Sequence, residues 1–377
     1  MQDGFVLTLN AGSSSLKFAL FGRVAPPRRV VSGSIEGVGA HGRRALSALD
    51  DVISRLEPHG GLAGVAAVGH RIVHGGARLD RSCRVTLDVL AELRRLSPID
   101  PNHLPAELAL VDAIRARAPN LRQVACFDTA FHRTLPRVAR LVPIARRYEG
   151  LGVQRYGFHG LSYTYLVEEL ARVAGDAAMR GRVVMAHLGS GASLAALREG
   201  RAVETTMGFS PTSGIPMGTR SGDVDPGVLL FLLRSQGLTV DALDELLNRE
   251  SGLRGLSETS SDVRELLARE ATDARAAEAL AVFCHRARQA VGALAATIGG
   301  LDTLVFSGGI GENSAPMRAR IAAGLEHLGV RLDGARNDAG GPVISADASA
   351  STVRVLRTDE ESVIARETLR VLEESPT

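Results

Sequence analysis

The chain has 377 residues, 45% of them hydrophobic and 23% charged, with a formal net charge of +2. That length outgrows one small core and sets two domains as the starting expectation, and scattered arginines with no run longer than two give nucleic acid no footprint. Cys83, Cys126 and Cys284 make neither a CxxC pair nor a zinc spacing, and no basic leader or window of about 18 apolar residues opens or interrupts the chain, so a reduced, cytoplasmic protein with no membrane association is expected.

Residues 5–22 read as strand, turn, strand: FVLTLN is apolar and β-rich, AGSSS is small, and LKFALF alternates. Leu16, Phe18 and Leu20 share one face, and Ser15, Lys17 and Ala19 the other. Lys17 is the only lysine among 44 basic residues. In a chain that uses arginine elsewhere, a compact ammonium beside a Gly/Ser turn suits a tight phosphate site better than a planar fork does. The turn is not a Walker A loop, because GxxxxGK[ST] is absent and a strand follows.

APPRRVVSG, residues 25–33, reads as loop. LAGVAAVGHRIV reads as a strand, followed by helical spacing over 86–96 and 105–117 and a second strand in RQVACFDTAF. Helical spacing returns over 162–174. VVMAHLGSGASLAAL, residues 183–197, then repeats the first strand–turn–strand layout over about 14 positions, which points to a duplicated domain. Further helical spacing covers 226–236, 240–249, 261–269 and 275–298, the third of these opening on a cap-like Ser260–Ser261 pair. TLVFSGGIGEN, residues 303–313, runs a strand through glycines into a helix start, an arrangement suited to a nucleotide. TVRVLRT reads as a last short strand, and RTDEESVIARE as a helix start with acids in its first turn. Strands alternating with helices make the class α/β, with a soft boundary near Thr129 to Arg147.

Several polar residues stand at strand ends or between glycines, where sites are built. Arg71 stands at the end of an apolar strand, within GHRIV and just before Gly75–Gly76, Asp128 ends ACFD, His159 sits within GFHG, and Arg220 lies in the Gly/Pro-rich PTSGIPMGTRSGDVDPG. Each has a plainer reading: Asp128 as a turn cap, His159 as a hydrogen-bonded structural residue, the arginines as surface charge, Asp223 and Asp225 as caps for a helix after Pro226. Cys126, between Ala125 and Phe127, reads as core. Together the set fits phosphoryl transfer to an anionic acceptor, which needs a phosphate cradle, cations around the transferring group and a carboxylate near the attacking oxygen.

NAGSSSLKF, GHRIVHGG, CFDTAFH, RYGFHG, HLGSGASL, MGFSPTSGIPMGTRSGDVDPG, SGLRGLSETSSDVREL and GGIGEN, in that order, resemble the acetate kinase family (acetate and propionate kinases) over nearly the whole chain. The resemblance implies two ribonuclease-H-like domains of the actin, Hsp70 and sugar-kinase type, spanning 1–130 plus 363–377 and 131–362, with the nucleotide in a cleft between them. It implies reversible, direct in-line transfer from ATP to acetate, or to propionate or another short acid, with Mg²⁺ (or Mn²⁺) as cofactor, in a cytoplasmic homodimer. By resemblance Asn10 and Glu360 help hold the metal, and Lys17 belongs to the ATP site. Arg71 binds the substrate carboxylate, while Val73, Phe158 and Pro211 form the pocket for its methyl group. Asp128 occupies the acid–base position, and His159 and Arg220 stabilise the transition state. His187, Leu188, Gly189, Ser190 and Gly191, then Asp262, Val263 and Arg264, then Gly309, Ile310, Gly311, Glu312 and Asn313 match the nucleotide-binding segments. Acetate enters ionised and needs no base, so Asp128 is expected to orient Mg²⁺, water or the arginines. Two departures stand out: SPIDPNHLP (97–105) replaces a PLHNP-like segment at the acyl pocket, and Tyr163 replaces the usual histidine after GFHG. An actin-like nucleotide switch would carry the nucleotide segments without needing Arg71, Asp128, His159 and Arg220 together.

Overall fold

The computed structural model describes residues 4–12, 15–36 and 42–374, so Ser13 and Ser14 of the first Gly/Ser turn lie outside the described residues. The chain forms two compact units, Met1–Arg133 with Phe158–Tyr165 and Asp359–Thr377, and Thr134–Gly157 with Leu166–Thr358.

The first unit is built on strands β1 (Phe5–Ala11), β2 (Ser15–Gly22), β3 (Arg28–Glu36), β4 (Val65–Ile72), β5 (Cys83–Arg84) and β6 (Arg122–Phe127). Their order is β3-β2-β1-β4-β6-β5. β1–β2 and β2–β3 are antiparallel; β4 runs parallel to β1 and to β6. β1 is a nearly continuous apolar run because both faces of the sheet are covered. On one face Leu7, Leu9, Leu16, Phe18 and Leu20 pack with Leu49, Val52 and Leu56 of the helix Gly42–Leu56 and with Leu110 and Ile114 of the helix Leu104–Arg117. On the other, Val363, Ile364, Val371 and Leu372 of the last helix, Glu360–Glu374, pack on Ala67, Val124 and Cys126. That helix presses so closely that a Cβ on Gly69 of β4 would lie 2.2 Å from Thr368 Oγ1.

The second unit carries β7 (Val183–Leu188), β8 (Ala192–Arg198), β9 (Arg201–Thr205), β10 (Thr303–Ser307) and β11 (Thr352–Val355) in the order β11-β10-β7-β8-β9. β7–β8 and β8–β9 are antiparallel, while β10 is parallel to β7 and to β11. Read from β7 outward, this is the arrangement around β1: a three-stranded antiparallel meander with two parallel strands added beside its first member. Both units therefore carry the ribonuclease-H-like sheet, and the duplication inferred from the two Gly/Ser turns is present in the topology.

Two sequence readings are corrected. Residues 25–33 are not simply loop, since β3 starts at Arg28; it is an edge strand with mostly exposed and half-buried side chains, so no apolar alternation marks it. The cap of the helix Val263–Arg269 is not the serine pair: Asp262 accepts from the Arg264 N–H at 2.8 Å, and Ser260 Oγ accepts from the Asp262 N–H at 3.0 Å just before it. The helix Gly42–Leu56 had no counterpart in the sequence reading. Among the described residues no helix is long and apolar enough to cross a membrane.

Candidate active site

In the first unit, parallel neighbours β4 and β6 deliver Arg71 and Asp128 to the same end of the sheet, Arg71 pairing with Cys126 and Asp128 following Phe127. Arg71 Nε and Nη2 donate to Asp128 Oδ2 at 3.0 and 2.6 Å, and Nη1 donates to Ala11 O at 2.5 Å and to Glu107 Oε1 at 3.1 Å. The other oxygen of Glu107 accepts from the Val73 N–H at 2.9 Å. Glu107 was not singled out from the sequence. It stands in the first turn of a helix, where an acid is ordinary, and its only signal is that an apolar-faced helix buries it.

Burial drives the charges of this group. Desolvation pushes the Glu107 carboxyl up to about 8, against the pull of Arg71 and the Val73 amide. It also raises Asp128, helped by Glu360 and opposed by Arg71 and the Leu161 amide. Arg71 stays charged, because its own desolvation is outweighed by Asp128, Glu107 and Glu360.

Asn10 and Lys17 face each other across the β1–β2 hairpin, Asn10 buried and Lys17 exposed. Asn10 Nδ2 donates to Glu360 Oε2 at 2.8 Å and to Glu361 Oε1 at 3.1 Å, tying the hairpin to the first turn of the last helix. Burial and Glu360 raise the Glu361 carboxyl, with Lys17 pulling the other way. Both acids serve as helix-start residues and as partners of Asn10.

His159 adopts a left-handed φ of 58°, between Gly157 at 73° and Gly160. A Cβ on Gly160 would fall 2.0 Å from Asp128 O, so only glycine lets this turn lie against Asp128. Phe158 is buried; its carbonyl meets His132 Nε2 at 2.9 Å and its ring meets the His74 ring edge-on at 5.6 Å.

In the second unit the β7–β8 turn closes through Gly189 N–H to Gly191 O at 3.0 Å, with His187 and Leu188 ending β7. Gly218 N–H donates to Ser190 O at 3.0 Å, and a Cβ on Gly218 would stand 3.5 Å from Ser261 Cβ. The 187–191 turn, the loop carrying Arg220 and the segment leading into Asp262, Val263 and Arg264 thus meet at one glycine. Arg220 Nη1 donates to Pro211 O at 3.2 Å, and its own carbonyl accepts from Met217 N–H at 3.0 Å. Asp225 caps the helix Pro226–Ser235, while Asp223 instead accepts from Gly214 N–H at 2.8 Å.

The 309–313 segment has internal hydrogen bonds of its own. It forms the short helix Gly308–Asn313, with Gly308 at φ 76° against Leu188 O. Glu312 folds back onto that helix's start: its Oε1 accepts from Gly308 N–H at 3.0 Å, Ser307 Oγ at 3.3 Å and Thr358 N–H at 3.3 Å. An internal carboxylate thus answers one of the N-terminal donors, the Gly308 N–H. Asn313 Nδ2 donates to Gly309 O at 2.9 Å. Buried Arg318, another residue without a sequence signal, holds the carbonyls of Gly311 and Glu312 at 2.9 and 3.0 Å. The Asp262 carboxylate likewise serves its own helix and pairs with Arg264 at 2.6 Å.

Among the described residues no three His, Cys, Asp or Glu side chains converge into a metal cage. The donor set nevertheless fits a magnesium ion that arrives with phosphate and keeps several waters. Asp128 and Glu107 both bond Arg71, with the charge of Glu360 acting on it as well, and Asp128 Oδ1 is buried with no hydrogen-bond partner among the described residues.

A family model described as the acetokinase family matches residues 39–366. The chain is 43% identical over 399 residues to the acetate kinase of Methylocella silvestris, covering 98% of each protein. It is 42% identical over 395 residues to the propionate kinase of Citrobacter rodentium, again covering 98% of each. The crystal structure of Porphyromonas gingivalis acetate kinase superposes with a TM-score of 0.85 at 36% identity, over 98% of this chain and 100% of that one.

Proposed function

This chain belongs to the acetokinase family, and from that premise we propose that it transfers the γ-phosphoryl group of ATP directly to a short-chain carboxylate, acetate first, giving an acyl phosphate and ADP. A carboxylate oxygen bonds to phosphorus while the bond to the bridging oxygen breaks, and its electron pair leaves on ADP. No proton moves, because the acid enters ionised. The observation that supports the reading is the half-buried Arg71, held by Asp128 and Glu107 at the end of β4: a largely desolvated guanidinium with a donor to spare suits an anion.

Arg71 binds the carboxylate, and Val73, Phe158 and Pro211 receive its alkyl end. Asp128, which accepts from Arg71 twice, orients it rather than acting as a base. His159 and Arg220 supply donors to the transferring phosphoryl. Lys17, the 187–191 turn, Asp262 to Arg264 and Gly309 to Asn313 serve the nucleotide. Asn10 and Glu360, with Asp128 nearby, would hold Mg²⁺, which would offset phosphate charge. The two compact units are the two domains of the enzyme.

We further read the protein as a cytoplasmic homodimer. Its three cysteines are free thiols. The helices Pro226–Ser235 and Val240–Arg249 bury none of their residues, and Val228, Leu230 and Phe231 stand 46%, 46% and 55% exposed, an apolar face suited to a second copy.

Relatives named for acetate and for propionate are almost equally similar, and one methylene changes pocket binding by only about 1–3 kcal/mol. A C2 to C4 acid series with ATP and hydroxylamine trapping is therefore expected to show mixed acyl phosphate formation. No trapped product from any acid sinks the reading. Arg220→Ala should lower kcat by roughly 10²–10³ if that side chain stabilises the transition state, and a near-normal kcat removes it from the role.

A further inference from the structure

A guanidinium offers five N–H donors in a rigid fork, and four of those on Arg71 are already committed. Nε and Nη2 serve Asp128, and Nη1 serves both Ala11 O and Glu107. Among the described residues one N–H, the second on Nη2, is left. An arginine that grips a carboxylate ordinarily uses two parallel N–H groups, and Arg71 cannot present two without abandoning a buried acceptor. Glu107 is the side chain that, with the carbonyl of Ala11, occupies Nη1. Its side chain is 1% exposed, and its other oxygen is taken by the Val73 N–H at 2.9 Å, so it has no room to swing aside.

That arrangement matters for transfer. A two-point grip holds both oxygens of the acid and blunts the one that must attack phosphorus; a one-point hold leaves the attacking oxygen uncommitted. We propose that Glu107 is a positioning residue that restricts Arg71 to a one-point hold on the acceptor carboxylate, leaving the second oxygen free as the nucleophile. The proposal rests on the phosphotransfer reading above. Glu107 acts through Arg71 and through the backbone of Val73, so it couples the charged and apolar ends of the acceptor site.

Glu107→Gln leaves one acceptor oxygen for two donors, Arg71 Nη1 and the Val73 N–H, and so loosens the hold on the second donor position, making the ground-state complex tighter and less reactive. In steady-state assays with acetate we expect KM for acetate to fall about 3- to 10-fold and kcat to fall about 10-fold or more, with KM for ATP within about twofold. Glu107→Met, of similar volume and uncharged, should show the same split and serves if the glutamine variant does not fold. Glu107→Asp keeps both acceptor oxygens and should recover part of kcat. If kcat and KM both stay within about twofold of wild type, or KM rises at unchanged kcat, the proposal is overturned. It is overturned too if neither the glutamine nor the methionine variant folds, since Glu107 is then structural. A wild-type enzyme that traps no acyl phosphate is a different result: it removes the phosphotransfer reading, and this proposal with it.

Discussion

Lys17 and Glu107 mark two ends of what a single residue reveals. Lys17 is conspicuous because arginine fills almost every other basic position, and the structure sets it exposed, opposite Asn10 and within electrostatic reach of Glu361. Lys17→Arg preserves charge but widens it into a fork. Because the side chain is exposed, the variant should melt like wild type, yet its KM for ATP should rise or its kcat fall about 10-fold in a coupled ADP assay. Full activity would make the lone lysine an accident of codon usage. Arg71, Asp128 and His159 were legible for a related reason: each stands at a strand end or between glycines, where a bulky polar residue is out of place unless used. Glu107 and Arg318 lie within helices, where a charge reads as solvated surface. What makes them matter is a long-range partner, 36 residues away for the Arg71–Glu107 bond and 19 for Arg318–Asn337. A one-dimensional pattern does not display such pairs.

Periodicity made several elements readable, though it did not decide every case. The helix expected over 240–249 is Val240–Arg249, and the one expected over 275–298 is Ala274–Thr297. β3 escaped because an edge strand hides little apolar surface. The helix Gly42–Leu56 was missed although Ala45, Ala48, Leu49, Val52 and Leu56 recur at helical spacing along its buried face. The turn around His159 makes an element-level prediction. Gly160→Ala places a methyl 2.0 Å from a carbonyl oxygen, where backbone has to shift. The variant should lose about 2 kcal/mol or more of stability. It should also lose kcat at temperatures where it remains folded, since the displaced chain carries Asp128 and His159. Wild-type melting and turnover together would show that the turn yields without consequence.

At the scale of the molecule, one sheet order appears twice, and the two copies have diverged in what their Gly/Ser turns carry. The β1–β2 hairpin keeps a lysine and an amide toward two glutamates; the β7–β8 hairpin keeps neither and instead anchors the Arg220 loop through Ser190 O. The duplication was visible in the sequence because both hairpins retained their small-residue turns, whereas the outer strands of each sheet share no obvious wording. Phe231→Asp tests the assembly proposed for the exposed helix pair: sedimentation should show wild type at twice the mass of one chain and the variant at a single-chain mass. A wild-type monomer would leave the apolar face without that explanation. The lone lysine also has a practical side. Apart from the chain's α-amino group, an amine-directed reagent has one target, and it lies exposed on the hairpin assigned to the nucleotide. A fluorophore or cross-linker attached there reports from a single known position, and protection of that one amine by ATP could be followed without any engineered cysteine.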